Sequence, residues 1–138
     1  MKIKLIVFFI TFSILPAVCM AEDVVVIANK SVTETTLSKQ DLSNIYLGKK
    51  SIWNDGGRIR YVVSEGSSLE AFLKEYVGKT ESQFNTFWKK QIFTGKGKPP
   101  QRFASDEAMI EYVAKAPGAL GYVSAGADVS KVKIITIK

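Results

Sequence analysis

The sequence predicts an α/β sandwich with a mixed, mainly parallel sheet. Apolar runs of strand length alternate with amphipathic segments of helix length through residues 22–138, which is the pattern of a sheet covered by helices. The length of 138 residues, with 46 % hydrophobic and 23 % charged residues, suits one globular domain. No repeat or low-complexity segment divides the chain, so we expect residues 22–138 to form a single domain.

Residues 1–21 have the three parts of an export signal. Lys2 and Lys4 precede the apolar run Leu5–Leu15, and the small residues that follow end at Ala21 in a typical cleavage site. We therefore expect cleavage after Ala21 and a periplasmic or secreted protein with no stable membrane insertion. A retained membrane anchor and lipidation of Cys19 are the alternatives.

The first half of the domain begins with a strand at Val24–Ala28, whose continuous apolar run predicts burial on both faces. A helix over Leu37–Leu47 follows, with Ser38 as its predicted cap. Trp53–Gly57 is typical of a turn, and Ile59–Val63 predicts a second strand.

The second helix carries apolar residues at helical spacing and stops at Gly78. Ser67 and Glu70 have the spacing of a capping box at its start. The apolar positions are Leu69, Phe72, Leu73, Tyr76 and Val77.

The remaining elements follow the same alternation. Thr80 and Gln83 predict a capped third helix, and Ser105 predicts the cap of a fourth. Between them, Gly95–Pro100 reads as an exposed basic loop. The apolar residues expected to line the third helix are Phe84, Phe87, Trp88 and Ile92, and the further predicted strands are Gln101–Ala104, Leu120–Val123 and Val132–Ile137.

Composition excludes several kinds of chemistry. The chain has no histidine and one cysteine, which rules out histidine triads, histidine–cysteine zinc sites and an internal disulfide. No nucleophile has an identifiable base, so we expect no enzyme, no metal and no cofactor. The formal charge of +6 falls to +4 when residues 1–21 are removed, because Lys2 and Lys4 are lost. This remaining positive charge favours anions, nucleic acid or anionic surfaces, and export makes nucleic acid the weakest of the three.

The most suggestive segment is the junction between the second strand and the second helix. Ser64, Gly66, Ser67 and Ser68 follow the strand, where free helix amides and hydroxyls can bind an anion. The same residues are also explained without a ligand, if Ser67 only caps its own helix. The carboxylate of Glu65 would repel an anion at this place.

Three arginines could add a guanidinium to an oxyanion site. They are Arg58, Arg60 and Arg102, and each could equally be a solvated surface charge.

Three motifs resemble those of phosphate-type periplasmic substrate-binding proteins, which have the type 2 periplasmic-binding-protein-like domain. They are Leu42–Lys49 followed by Trp53–Asp55, then Phe93–Gly97, then Ala116–Val123. The resemblance implies one three-layer lobe and a role like that of the substrate-binding component of phosphate ABC transport. It places inorganic phosphate or a similar oxyanion at Ser64, Gly66, Ser67 and Ser68.

Two departures from that family alter the expected function. Family members have two lobes that close on the ligand, whereas this sequence matches one of them. The phosphate loop of this lobe is typically Arg-Ser-Asp-Gly-Ser-Gly-Thr, and here it is the shorter run Ser64–Leu69 without an arginine. We therefore expect weak or partner-dependent oxyanion binding. The alternative is an accessory protein that keeps the lobe, lacks the ligand and contacts an envelope protein.

We predict that the mature protein begins at Glu22. The physical basis is the basic start, the apolar run and the small residues before the cleavage site. Mass spectrometry of the protein from the envelope fraction should show Glu22 as the first residue. An intact Met1 in the inner membrane would contradict this prediction.

Overall fold

The computed structural model describes residues 23–138, so the predicted export signal lies outside the described residues. The strands are β1 (Val24–Ala28), β2 (Thr36–Leu37), β3 (Arg60–Ser64), β4 (Gln101–Phe103), β5 (Ala119–Ser124), β6 (Lys133–Ile134) and β7 (Thr136–Ile137). The helices are α1 (Lys39–Tyr46), α2 (Ser67–Phe72), α3 (Glu81–Phe93) and α4 (Asp106–Lys115). A π-helical turn, Leu73–Val77, continues α2.

Five strands form the main sheet in the order β4-β3-β5-β1-β6. β3 pairs in parallel with β4 and β5, whereas β1 is antiparallel to both β5 and β6. Because β6 opposes β1, every strand of this sheet except β1 points the same way. The predicted mixed, mainly parallel sheet is confirmed. β2 and β7 form a separate parallel pair.

Helices cover both faces of the main sheet. On one face, α1, α2 and α3 contribute Tyr46, Phe72 and Trp88 to one apolar cluster. On the other face, α4 contributes Met109 and Val113 to a second cluster. Alternate residues of each strand join one cluster or the other, because successive side chains of a strand point to opposite faces. The protein is therefore a three-layer sandwich, as predicted.

Two glycines of the Ala116–Val123 motif are explained by close packing. A Cβ on Gly118 would lie 2.3 Å from the carbonyl oxygen of Arg58, and its φ of +75° also favours glycine. A Cβ on Gly121 would lie 2.6 Å from the sulfur of Met109. The motif thus brings the turn before β5 against β3 and lets α4 lie close to β5.

The predicted caps are confirmed at three helices. Ser38, Thr80 and Ser105 each accept a hydrogen bond from the amide three residues later. At Thr80 the reciprocal bond from its amide to Gln83 Oε1 completes the capping box, at 3.0 Å. These bonds satisfy amides that the start of a helix leaves without partners.

The predicted cap at Ser67 is wrong. Gly66 is the N-cap of α2, with φ +95° and ψ −156°, and no side chain in the described part of the chain caps this helix. Ser67 is the first helical residue, and it is exposed. Gly66 adopts a backbone conformation that β-carbon sterics deny to other residues, so the chain enters the helix one residue earlier than the capping pattern predicts.

Three other boundaries or burial patterns differ from expectation. Leu37 lies in β2 rather than in the first helix, because it pairs with Ile137 of β7. The last predicted strand divides at Ile135, where the chain leaves the main sheet for the small one. Ile92 is 49 % exposed, since the last turn of α3 runs past the core that Phe84 and Trp88 fill.

No helix within residues 23–138 is long and apolar enough to cross a membrane.

Ser67→Ala should leave the free energy of unfolding within about 0.5 kcal/mol of the wild type, because Ser67 is exposed and caps nothing. Ser38→Ala is the matched variant at a working cap, and it should cost about 1 kcal/mol. Chemical denaturation of both variants measures the difference. An equal loss for both would show that Ser67 is a cap after all.

Stability should fall above about pH 10. Burial raises the pKa of Tyr61 to about 12, and burial is also the main cause that raises the pKa values of Tyr46 and Tyr122. The folded state therefore favours the neutral phenol. Its stabilisation is complete below the unfolded pKa near 10 and is lost as pH rises through the folded pKa.

Denaturation midpoints measured from pH 8 to 12, with phenolate absorbance recorded in parallel, would test this. Ionisation of every tyrosine near its ordinary pKa, without loss of stability, would contradict it.

Candidate functional site

The candidate site lies where parallel strands end. Ser64 is the last residue of β3, Phe103 pairs with it at the end of β4, and Ser124 ends β5. The helices α2 and α4 begin at the same edge, directly after β3 and β4. The carboxyl edge of a parallel sheet is the usual place for a ligand in α/β folds.

Ser64 is buried, and its polar groups are engaged by neighbours. Its amide donates to the hydroxyl oxygen of Tyr122 at 3.1 Å, and that hydroxyl donates back to the Ser64 carbonyl at 3.3 Å. Its Oγ donates to the carbonyl of Glu65 at 3.2 Å. Ser64 therefore fixes the end of β3 and directs the turn that follows.

The amide of Glu65 donates to the Phe103 carbonyl at 2.8 Å, but the three amides after it have no partner within residues 23–138. Neither a carbonyl nor a side chain there accepts from the amides of Gly66, Ser67 and Ser68, whereas the amide of Leu69 donates to the Gly66 carbonyl at 3.1 Å. The positive φ of Gly66 starts this arrangement. Consecutive unpartnered amides at a helix start carry partial positive charge and can donate to an anion.

Two hydroxyls stand beside these amides. Ser68 is 7 % exposed, and its Oγ lies 3.3 Å from Oγ of Ser124. Sequence reasoning predicted Ser68 and missed Ser124. The position of Ser124 at the end of a buried strand is the clue that could have pointed to it. The structure thus brings Gly66, Ser67, Ser68 and Ser124 to one edge, with Ser64 beneath them.

Carboxylates flank the same edge. Glu65 is exposed beside the turn, and Asp106 accepts from the amide of Ser124 at 3.2 Å. A groove of about 520 Å³ continues between α4 and the segment that follows β5. Its charged lining consists of Asp106, Glu107, Glu111, Asp128 and Lys131. The negative charge of this groove opposes an anion, which leaves the amides and hydroxyls as the donors at the edge.

The three candidate arginines separate in space. Arg60 begins β3, about 13 Å along the strand from Ser64, and Arg58 precedes it, so neither reaches the carboxyl edge. Arg102 lies on β4 opposite Val63 and donates to Asn85 of α3. Its charge acts to lower the pKa of Tyr122, against the larger effect of burial. By its place on β4, next to Phe103 at the end of that strand, Arg102 is the one of these three arginines nearest in the sheet to the carboxyl edge.

The residues at this edge do not form a metal centre. Among residues 23–138, no group of three or more aspartate, glutamate, histidine or cysteine side chains is placed to hold an ion. The chemistry that the edge can perform is donation of hydrogen bonds from amides and hydroxyls.

Comparison with solved structures finds this fold in phosphate-binding proteins. The chain is similar to a protein from Clostridium perfringens described as a phosphate ABC transporter substrate-binding protein and solved with bound phosphate (TM-score 0.67, 19 % identity), over 84 % of this chain and 45 % of that one. It is also similar to PstS from Borrelia burgdorferi (TM-score 0.63, 16 % identity), over 85 % of this chain and 47 % of that one.

A third similar structure is an ABC-type phosphate transport receptor from Vibrio cholerae (TM-score 0.59, 19 % identity), over 84 % of this chain and 46 % of that one. No protein-family model matches the chain, and no curated protein matches it in sequence. The chain spans slightly less than half the length of these three solved structures. Over that length it has the fold found in these phosphate ABC transporter substrate-binding proteins.

Proposed function

We propose that the mature chain is an exported, non-enzymatic binding module that holds phosphate or a similar oxyanion weakly, at the start of α2. The observation that carries the proposal is the run of unpartnered amides at Gly66, Ser67 and Ser68 on the carboxyl edge of a parallel sheet. The fold shared with a structure that contains bound phosphate supports the choice of ligand.

The hydroxyls add donors to the amides. Ser67 is exposed and free of a capping role, so its Oγ can turn towards a ligand. The pair formed by Ser68 and Ser124 places two more hydroxyls beside the helix start. A tetrahedral oxyanion presents several acceptor oxygens, which suits a cluster of donors converging from one side.

The electrostatics of the edge explain why binding should be weak. Glu65 and Asp106 place negative charge beside the donors, while Arg102 supplies a cation on the neighbouring strand. The open edge leaves the ligand in contact with water, which screens the attraction and competes for hydrogen bonds. We therefore propose that a partner protein of the cell envelope covers this edge and completes the site.

The accessory-protein alternative is favoured by the same carboxylates. If Glu65 and Asp106 repel every anion from the edge, the lobe serves only as a surface for an envelope partner. Titration of the purified protein separates the two functions, because anion binding must shift the amides of residues 66–68.

The predicted dissociation constant for inorganic phosphate is of millimolar order. Glu65→Gln should tighten binding about twofold by removing an exposed negative charge. Ser67→Ala should weaken binding severalfold because it removes a donor without unfolding the helix. NMR titration with phosphate and with sulfate measures these effects, and Ser38→Ala is the control because its cap lies on α1.

Submicromolar binding by the isolated chain would show that the short turn is a complete phosphate clamp. Amides at residues 66–68 that stay unshifted at tens of millimolar phosphate would leave the accessory role as the function.

A further inference from the structure

The positive charge of the protein is concentrated in one segment. Residues 82–105 contain five Lys and Arg residues and no Asp or Glu, whereas the rest of residues 23–138 has 12 of each sign. Four of the five cations are Lys89, Lys90, Lys96 and Lys98, at the end of α3 and in the loop that follows. None of the three ion pairs within residues 23–138 involves these lysines.

An apolar pair lies among these lysines. Phe93 is 94 % exposed and Ile92 is 49 % exposed, and they are the last two residues of α3. Large hydrophobic side chains are exposed at four positions in residues 23–138, and two of the four are adjacent here. We call the surface formed by Lys89, Lys90, Ile92, Phe93, Lys96 and Lys98 the basic tip.

The basic tip has a fixed backbone. Thr94 Oγ1 donates to the Lys90 carbonyl at 2.9 Å, and the amide of Gly95 donates to the Ile92 carbonyl at 3.1 Å. The amide of Lys96 donates to the Gln91 carbonyl at 2.9 Å, which closes the helix end. Phe93 is therefore presented to solvent by a hydrogen-bonded turn.

The tip is placed at the opposite edge of the sheet from the candidate site. α3 ends and the loop passes directly into the start of β4, whereas Ser64 and Ser124 lie at the ends of β3 and β5. Because β3, β4 and β5 are parallel, the tip belongs to the amino edge and the unpartnered amides belong to the carboxyl edge.

We propose that the basic tip docks the protein peripherally on an anionic phospholipid surface. The lysines would contact headgroup phosphates, and Phe93 with Ile92 would enter the boundary between headgroups and acyl chains. Two exposed apolar side chains among four lysines form a small patch, which suits insertion into a lipid surface better than the broad contact area of a stable protein interface. The four lysines of the basic tip complement the negative phosphates of the lipid headgroups.

The test is sedimentation of the purified mature protein with vesicles of phosphatidylcholine containing about one-third phosphatidylglycerol, against pure phosphatidylcholine. We expect binding to the anionic vesicles only, and a steep loss as salt rises. The double variant Lys96→Glu, Lys98→Glu should weaken binding at least about tenfold, and Phe93→Ser should weaken it severalfold. The matched controls are the double variant Lys115→Glu, Lys131→Glu, which makes the same charge change at exposed positions elsewhere, and Ile52→Ser, at a side chain with 55 % exposure.

Several outcomes decide the matter. The proposal is overturned if the protein binds both vesicle types equally, binds neither, or if the tip variants bind as well as the wild type. Capture of an acidic protein by the basic tip would not rescue it. Inorganic phosphate should release no more protein than chloride at the same ionic strength, which separates a lipid surface from a free phosphate site. Ser67→Ala should bind vesicles normally, since the tip acts independently of the carboxyl edge.

Discussion

The hydroxyl of Tyr122 is the contact on which the arrangement of the carboxyl edge depends. It bonds to both the amide and the carbonyl of Ser64, so it ties β5 to the end of β3 at a buried position. Its ring stacks on Phe72 with centroids 4.0 Å apart, which holds α2 over the same two strands. One side chain therefore sets where β3 stops and where the following helix lies.

The free amides lie in the turn that directly follows this contact. With the carbonyl of Ser64 occupied by the Tyr122 hydroxyl, the chain turns through Gly66 before the helix begins. The Ser68 hydroxyl then meets Ser124 of the strand that carries Tyr122. Within residues 23–138 the donors at the helix start have no partners, and an anchored, rigid arrangement of donors would lower the ordering cost of the binding that we propose.

Local sequence predicted the layers well because each depends on periodicity within a few residues. The strand at β1 and the capping box at Thr80 need no information from the rest of the chain. The start of α2 could not be predicted this way, because the spacing of Ser67 and Glu70 fits a cap equally well with or without the unusual φ of Gly66. The contact between Ser68 and Ser124 was also hidden, since it joins residues 56 positions apart in the chain. Ile92 has the spacing of a core residue, but it is exposed because the end of α3 extends beyond the sheet and helices that bury Phe84 and Trp88.

Negative charge lies at the carboxyl edge of the sheet and positive charge at the amino edge. The carboxyl edge carries Glu65 and Asp106, and the adjoining groove is acidic, whereas the amino edge carries Arg58, Arg60 and the basic tip. The excess of lysine therefore does not account for oxyanion binding, because exposed charges are largely screened beyond about 8–10 Å. The oxyanion binding that we propose at the carboxyl edge therefore depends on amides and hydroxyls in direct contact with the ligand. The basic end is then available for an anionic surface, and docking there would direct the carboxyl edge away from that surface.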